Sequence, residues 1–240
     1  MIPLSRPYKY SGIIPSDDTL HTEVDAAAEQ IAPTYVHVPG GKKVAQYAPT
    51  VVGASVAYNP SRDCKGHFTS SKFQANNNCY NYACDIATNS YAQPGRMHGF
   101  FLLHEGGPTE PVIVSGAQMD GLVWIADKNI SIAELVRYVS GHGAGHLVAL
   151  LISQRDESVD WKGDYHWVRC DETNCISWSQ KDGTDQVTNF DFAGNIIEDP
   201  RNAVWEVNQG PRSKTDPADF IVNYEFCGFM FVPIGKVKII

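Results

Sequence analysis

The feature that most constrains how this chain can fold is the run Leu147 to Ser153, six apolar residues closed by a serine. It follows the glycine-rich stretch Gly141-His142-Gly143-Ala144-Gly145-His146, which is too rich in glycine to continue a helix. A strand without polar alternation has to be covered on both faces, so this run predicts a buried central strand.

Two of the segments before it read as helix. Asn76-Asn77-Asn78 is a polar, turn-like run able to cap a helix, and Cys79, Tyr82, Ala83 and Ile86 then fall on one helical face. Pro94-Gly95 ends that segment. A second helix is marked by the capping box Ser131-Ile132-Ala133-Glu134, the stripe Ile132, Leu135, Val136 and Val139, and a stop at Gly141. Strands are expected at Tyr35 to Val38, Val51 to Tyr58, Phe100 to Leu103 and Val112 to Val114. Further on, Tyr165 to Cys170 and Ile176 to Gln180 form a hairpin about Asp171 to Asn174, and the remainder to Val232 is strand and loop. Helices first and strands later predict an α+β fold. Residues 1–60 read as lead-in strands and loops packed on a main domain of residues 61–240.

Composition excludes some functions. A net charge of -8, with no cluster of Lys and Arg, argues against a general nucleic-acid binder. No apolar run approaches the roughly 20 residues of a membrane span. Met1 to Pro15 has basic residues but no apolar segment after them, so it is not a Sec signal. The expectation is a soluble protein, secreted or exported without such a signal, otherwise cytoplasmic. Six cysteines are too sparse for a disulfide scaffold, and none of their spacings makes a zinc pattern, so no metal or cofactor is expected. Cys170 and Cys175 flank a short turn, where a cross-strand disulfide and a reduced pair are equally consistent with the sequence. Asp182 to Asp185 and Asp191 to Asn195 lack a full calcium loop and read as turns.

The chemistry that remains is that of a thiol. A helix start stabilises a thiolate through its unpaired N–H groups and the positive end of the dipole, and Cys79 is placed there. Its backbone N–H and the Asn78 amide would form an oxyanion hole. Cys84 lies deeper in the same helix, where the dipole helps less. The base has to come from a strand far along the chain. His166 and His146 each open a strand, whereas His21, His37, His67, His98 and His104 read as surface or packing residues. For a third member, a hairpin turning at Glu172-Thr173 sets Ser179 opposite His166, with Gln180 adjacent. His146 and His166 are also candidates to orient each other.

These residues carry a resemblance. Asn77-Asn78-Cys79-Tyr80-Asn81-Tyr82-Ala83, Ala92-Gln93-Pro94-Gly95-Arg96 and Gly99 resemble a widespread family of bacteria and animals, without an assigned activity, whose animal members include insoluble shell-matrix proteins. Leu147 to Ile152, Asp164 to Arg169, Trp178 to Gly183, Val187 to Asp191 and Ile197 to Arg201 follow in the same order. The likeness covers about Asn76 to Arg201, with a weaker echo around Cys227. A helix cysteine followed by a strand histidine is also similar to papain-like and NlpC/P60-like amidases. That likeness implies a helix packed on an antiparallel sheet and a peptide or peptidoglycan-type substrate. In the amidases a Gly-His before an apolar strand supplies the base, which points to His146, whereas the shell-matrix-like family points to His166. Gln180 departs from that family's Trp-Ser-His-Lys pattern.

Two functions are compatible with these residues. In one, Cys79 and His166 are the catalytic pair of a cysteine hydrolase, an exported effector or toxin held in check by an inhibitor (immunity) protein. In the other, the scaffold serves a non-catalytic secreted matrix or binding protein.

Overall fold

The apolar run lies inside a nine-residue strand in which every residue is buried. The computed structural model describes residues 32–53, 68, 73–102, 107–212 and 216–240. In chain order, β1 (Thr34–His37) and β2 (Lys43–Gln46) form a hairpin, and β3 (Val51–Val52) comes next. Then come α1 (Cys79–Cys84), β4 (Ile86–Ala87), α2 (Glu110–Met119), β5 (Val123–Ala126) and α3 (Ile132–Gly141). The rest is strand: β6 (Gly145–Ser153), β7 (Asp164–Cys170), β8 (Trp178–Lys181), β9 (Val187–Thr188), β10 (Glu206–Pro211), β11 (Asp219–Asn223) and β12 (Glu225–Pro233).

Six of these strands make one sheet in the order β5-β12-β6-β7-β8-β9, antiparallel throughout. β6 is flanked by β12 and β7 along nearly its whole length, and it can be apolar on both sides because both faces of the sheet are covered. On one face, Val148, Leu150 and Ile152 pack with Tyr165, Trp167 and Met230 under Cys79, Tyr80 and Ala83 of α1 and Ile113 and Ala117 of α2. On the other, Leu147, Ala149, Leu151, Val168, Trp178, Phe229 and Phe231 pack against Leu135 and Val139 of α3 and against Trp205, Val222 and Tyr224. Each large apolar side chain so buried contributes about 1.5–3 kcal/mol, which makes this double-sided sheet the main source of stability.

The expected α+β, papain-like arrangement is therefore corrected. Among the described residues the fold is β-rich: one six-stranded sheet, three two-stranded sheets and three helices of 6, 10 and 10 residues. The helix that was to carry the fold stops at Cys84. Asp85 turns left-handed (φ 56°), its N–H closing on the carbonyls of Asn81 and Tyr82, and the chain passes directly into β4. Ile86, counted on the helical face, is a strand residue.

Two other expectations also change. Val112 to Val114 lies in α2, where Pro111 in the first turn fixes a helical φ and outweighs the β preference of two valines and an isoleucine. Phe100 to Leu102 form no strand, and Leu103 lies outside the described residues, as do positions 54–58 of the strand expected to run from Val51. No described helix is long and apolar enough to cross a membrane.

Candidate functional site

Asn77 and Asn78, just before α1, and Asn81 within it fix that helix to the loop after it. The Asn78 side chain accepts from the backbone N–H of Tyr80 and Asn81 (both 3.1 Å), and the Asn81 side chain accepts from the Asn78 N–H (3.1 Å), a complete capping box. The Asn78 amide then donates to the Ala92 carbonyl (2.8 Å). Asn81 donates to the Ile86 carbonyl and to Thr88 Oγ1, both at 2.8 Å, and accepts from the Ala92 N–H. Asn77 donates to Asn89 Oδ1 and accepts from the Asn89 N–H. The group proposed to hold an oxyanion is thus buried and bonded within the protein.

Cys79 is the first residue of α1, as its sequence context predicts, and it is fully buried. Burial pushes its thiol well above the usual range. The charge of Asp164 adds to that, against smaller lowering contributions from a Trp167 backbone hydrogen bond and from Lys181. A helix start is worth about 0.3–1 kcal/mol to an anion, whereas taking an anion out of water costs several. Burial wins, and the sulfur is held as a thiol. Cys84 is raised by burial in the same way.

His166 sits on β7, where successive side chains alternate between faces. Tyr165 and Trp167 pack with Cys79 and Tyr80, whereas Val168 belongs to the opposite core. His166 is on that opposite face, its ring 5.7, 5.9 and 6.2 Å from the rings of Phe192, Trp205 and Tyr224. The proposed pair is therefore divided by the sheet.

His166 does meet one candidate partner: its Nε2–H donates to Gln180 Oε1 (2.6 Å), and Gln180 is itself oriented by donating to the Phe190 carbonyl (2.6 Å). Burial lowers the imidazole to about 4, with the Gln180 bond opposing, so the ring is neutral at physiological pH.

The hairpin register differs from the expected one by three residues: Ser179 is opposite Arg169 and Gln180 opposite Val168. Ser179 consequently faces α1, donating to Asp171 Oδ1 (2.6 Å) and hydrogen-bonded to the Tyr82 hydroxyl. His146 also lies on the α1 side, but its Nε2–H donates to the Ala83 carbonyl (2.6 Å) in the last turn of α1. Burial, helped by the nearby Arg169, lowers its basicity strongly. Each ring thus completes a hydrogen bond of the scaffold.

The functional groups missed from sequence are the buried charges. Arg169 is fully buried on the α1 side, its Nη1 3.2 Å from Asp85 Oδ1. Lys181, equally buried, donates to the carbonyls of Gln74 (2.7 Å) and Gly183 (2.8 Å), and burial brings it down to about 7. Burial raises the neighbouring Asp182 to about 7. The alternation in β8, with Ser179 and Lys181 on one side and Trp178 and Gln180 on the other, was the available signal. The two acidic loops are turns: Asp185 N–H closes on the Asp182 carbonyl (2.7 Å), and the Asp191 carboxylate accepts from the N–H groups of Ala193, Asn195 and Val204.

Over 142 residues the chain is 34% identical to Insoluble matrix shell protein 1 of Ruditapes philippinarum, a stretch covering 58% of this chain and 76% of that protein. No family model matches the chain. No solved structure is significantly similar to it.

Proposed function

The chain belongs to the same family as insoluble matrix shell protein 1, and from that premise we propose that it is a non-catalytic, secreted matrix or binding protein. In this reading Cys79 and His166 are interior residues that hold the scaffold together. One observation carries it: a neutral thiol and a neutral imidazole, each buried, on opposite faces of one sheet. Nucleophilic catalysis needs base and nucleophile within hydrogen-bond reach and open to substrate. A peptide or peptidoglycan-type substrate and an inhibitor protein belong to the hydrolase reading, and a matrix role requires neither.

The test uses the whole chain and iodoacetamide. Cys79 is expected to stay unmodified in native buffer across about pH 6 to 9, a window in which an activated thiol is largely anionic, and to label fully in denaturant. Wild type and Cys79→Ala should also be recovered in the same proportion from the insoluble extracellular fraction of expressing cells. Rapid, pH-sensitive native labelling of Cys79 ahead of the other cysteines would restore the hydrolase. Absence of both proteins from the extracellular fraction would defeat the matrix role.

A further inference from the structure

We propose that Cys170 and Cys175 close an intrachain disulfide across the turn between β7 and β8, formed by exchange with a small-molecule disulfide. This goes beyond the matrix reading and does not depend on it, because the two sulfurs and their turn carry the argument.

Both cysteines are free thiols here, and both are buried in the same core beside Trp178. Both thiols point into the turn between them: Cys170 Sγ donates to the Glu172 carbonyl (3.0 Å), the same carbonyl that accepts from the Cys175 N–H (3.1 Å), and Cys175 Sγ lies 3.6 Å from the Thr173 carbonyl. The turn that brings them together is fixed at several points. Asp171 N–H donates to the Ser177 carbonyl (2.8 Å), Cys175 N–H to the Glu172 carbonyl (3.1 Å), and the Trp178 indole to the Cys175 carbonyl (3.0 Å). Cys175 itself has a left-handed backbone (φ 61°), a conformation in which glycine or asparagine is far cheaper. A cysteine in that conformation, turned inward onto a second cysteine, is a strained residue whose position is explained by the bond it is set to make. Cys79 and Cys84 belong to the core on the other side of the sheet and do not compete.

The chemistry balances without a metal. The Cys175 sulfur, as its thiolate, attacks one sulfur of the small disulfide and expels a thiolate. The Cys170 sulfur then attacks the sulfur of Cys175 and expels the second. The two protein protons pass to the released thiolates, so two protein thiols are oxidised and one small disulfide is reduced to two thiols. The exposed residues Glu172, Thr173 and Asn174 form the side from which the reagent approaches.

The experiment equilibrates the whole protein in mixtures of oxidised and reduced glutathione, quenches with iodoacetamide, and digests with trypsin. Cleavage after Arg169 and Lys181 releases both cysteines in one peptide. The expected product under oxidising conditions is that peptide two hydrogens lighter and unalkylated, and reduction should lower Tm by roughly 5 °C, as expected for a bridge closing so short a loop. The double variant Cys170→Ser with Cys175→Ser should melt identically in both buffers. If that variant fails to fold, the wild-type peptide mass decides alone. Alkylation of both residues even in oxidised glutathione, a bridge to any other cysteine or to a second chain, or equal melting of oxidised and reduced wild type overturns the proposal.

Discussion

The buried pair Arg169–Asp85 is where this scaffold is most open to a single change. Arg169 is wholly inside, 3.2 Å from Asp85 Oδ1, and its neighbours include the Tyr82 carbonyl at 3.5 Å and the Tyr82 ring at 5.9 Å. Asp85→Asn keeps the shape of the side chain, and asparagine adopts the left-handed backbone at this position about as readily as aspartate does. What it removes is the charge opposite a guanidinium that cannot lose its proton. Breaking a buried pair by removing one partner costs about 3–5 kcal/mol. The Asp85 side chain is 8% exposed and an amide oxygen can still accept one bond, so the lower end applies, about 3 kcal/mol. For a domain of this size that corresponds to a Tm lower by about 6–12 °C.

Arg169→Met should be milder, about 1–2 kcal/mol, because the carboxylate left behind sits nearer to solvent and the methionine refills the space. The double variant should then be more stable than Asp85→Asn alone. Urea unfolding of the four proteins, with unchanged m-values, measures the cycle. An Asp85→Asn cost below about 1 kcal/mol, or a double variant whose loss equals the sum of the singles, would refute the claim that charge pairing anchors α1 to the sheet.

Three further outcomes rest on the same geometry. Asn78→Ala removes two cap bonds and the tie to Ala92, and should cost about 2 kcal/mol by urea titration, at the upper end for a cap; a cost under a few tenths would mean that water replaces the cap. Gly53→Ala would set a methyl carbon 2.0 Å from the Asp85 carboxylate, which Arg169 holds in place, and should cost about 1–3 kcal/mol; no loss of Tm would show that this contact yields freely. The third concerns pH. Burial raises the Asp120 carboxyl from 3.8 to about 7, so between those values the folded protein keeps a proton that the unfolded chain releases. Stability should therefore fall as pH rises through that window. Asp120→Asn should flatten that part of the slope, and superimposable pH profiles for the two proteins would dismiss the effect.

How much of this could be read beforehand depends on whether the signal was local. The central strand at Leu147 to Ser153 was legible because a run without polar residues admits few environments, and α3 was legible because its cap, stripe and stop agree. The start of α1 was legible for the same reason. Its length was not, since the stop is an aspartate in a conformation that usually signals glycine. The pairing of β12 with β6 joins segments more than 70 residues apart, and nothing local in either encodes it.

The separation of Cys79 from His166 turned on a subtler point. In a sheet with one wet face, the polar residues of a strand declare which side it turns to solvent, and the position of His166 would have been clear. β7 is buried on both faces, so Tyr165, His166, Trp167 and Val168 offer no contrast, and a shift of one residue exchanges the two cores. The tyrosine and tryptophan that flank His166 go to Cys79, and the histidine cannot go with them. A helix cysteine and a strand histidine are therefore evidence for a thiol enzyme only once parity along the strand is known, and here parity sends the imidazole to the far side.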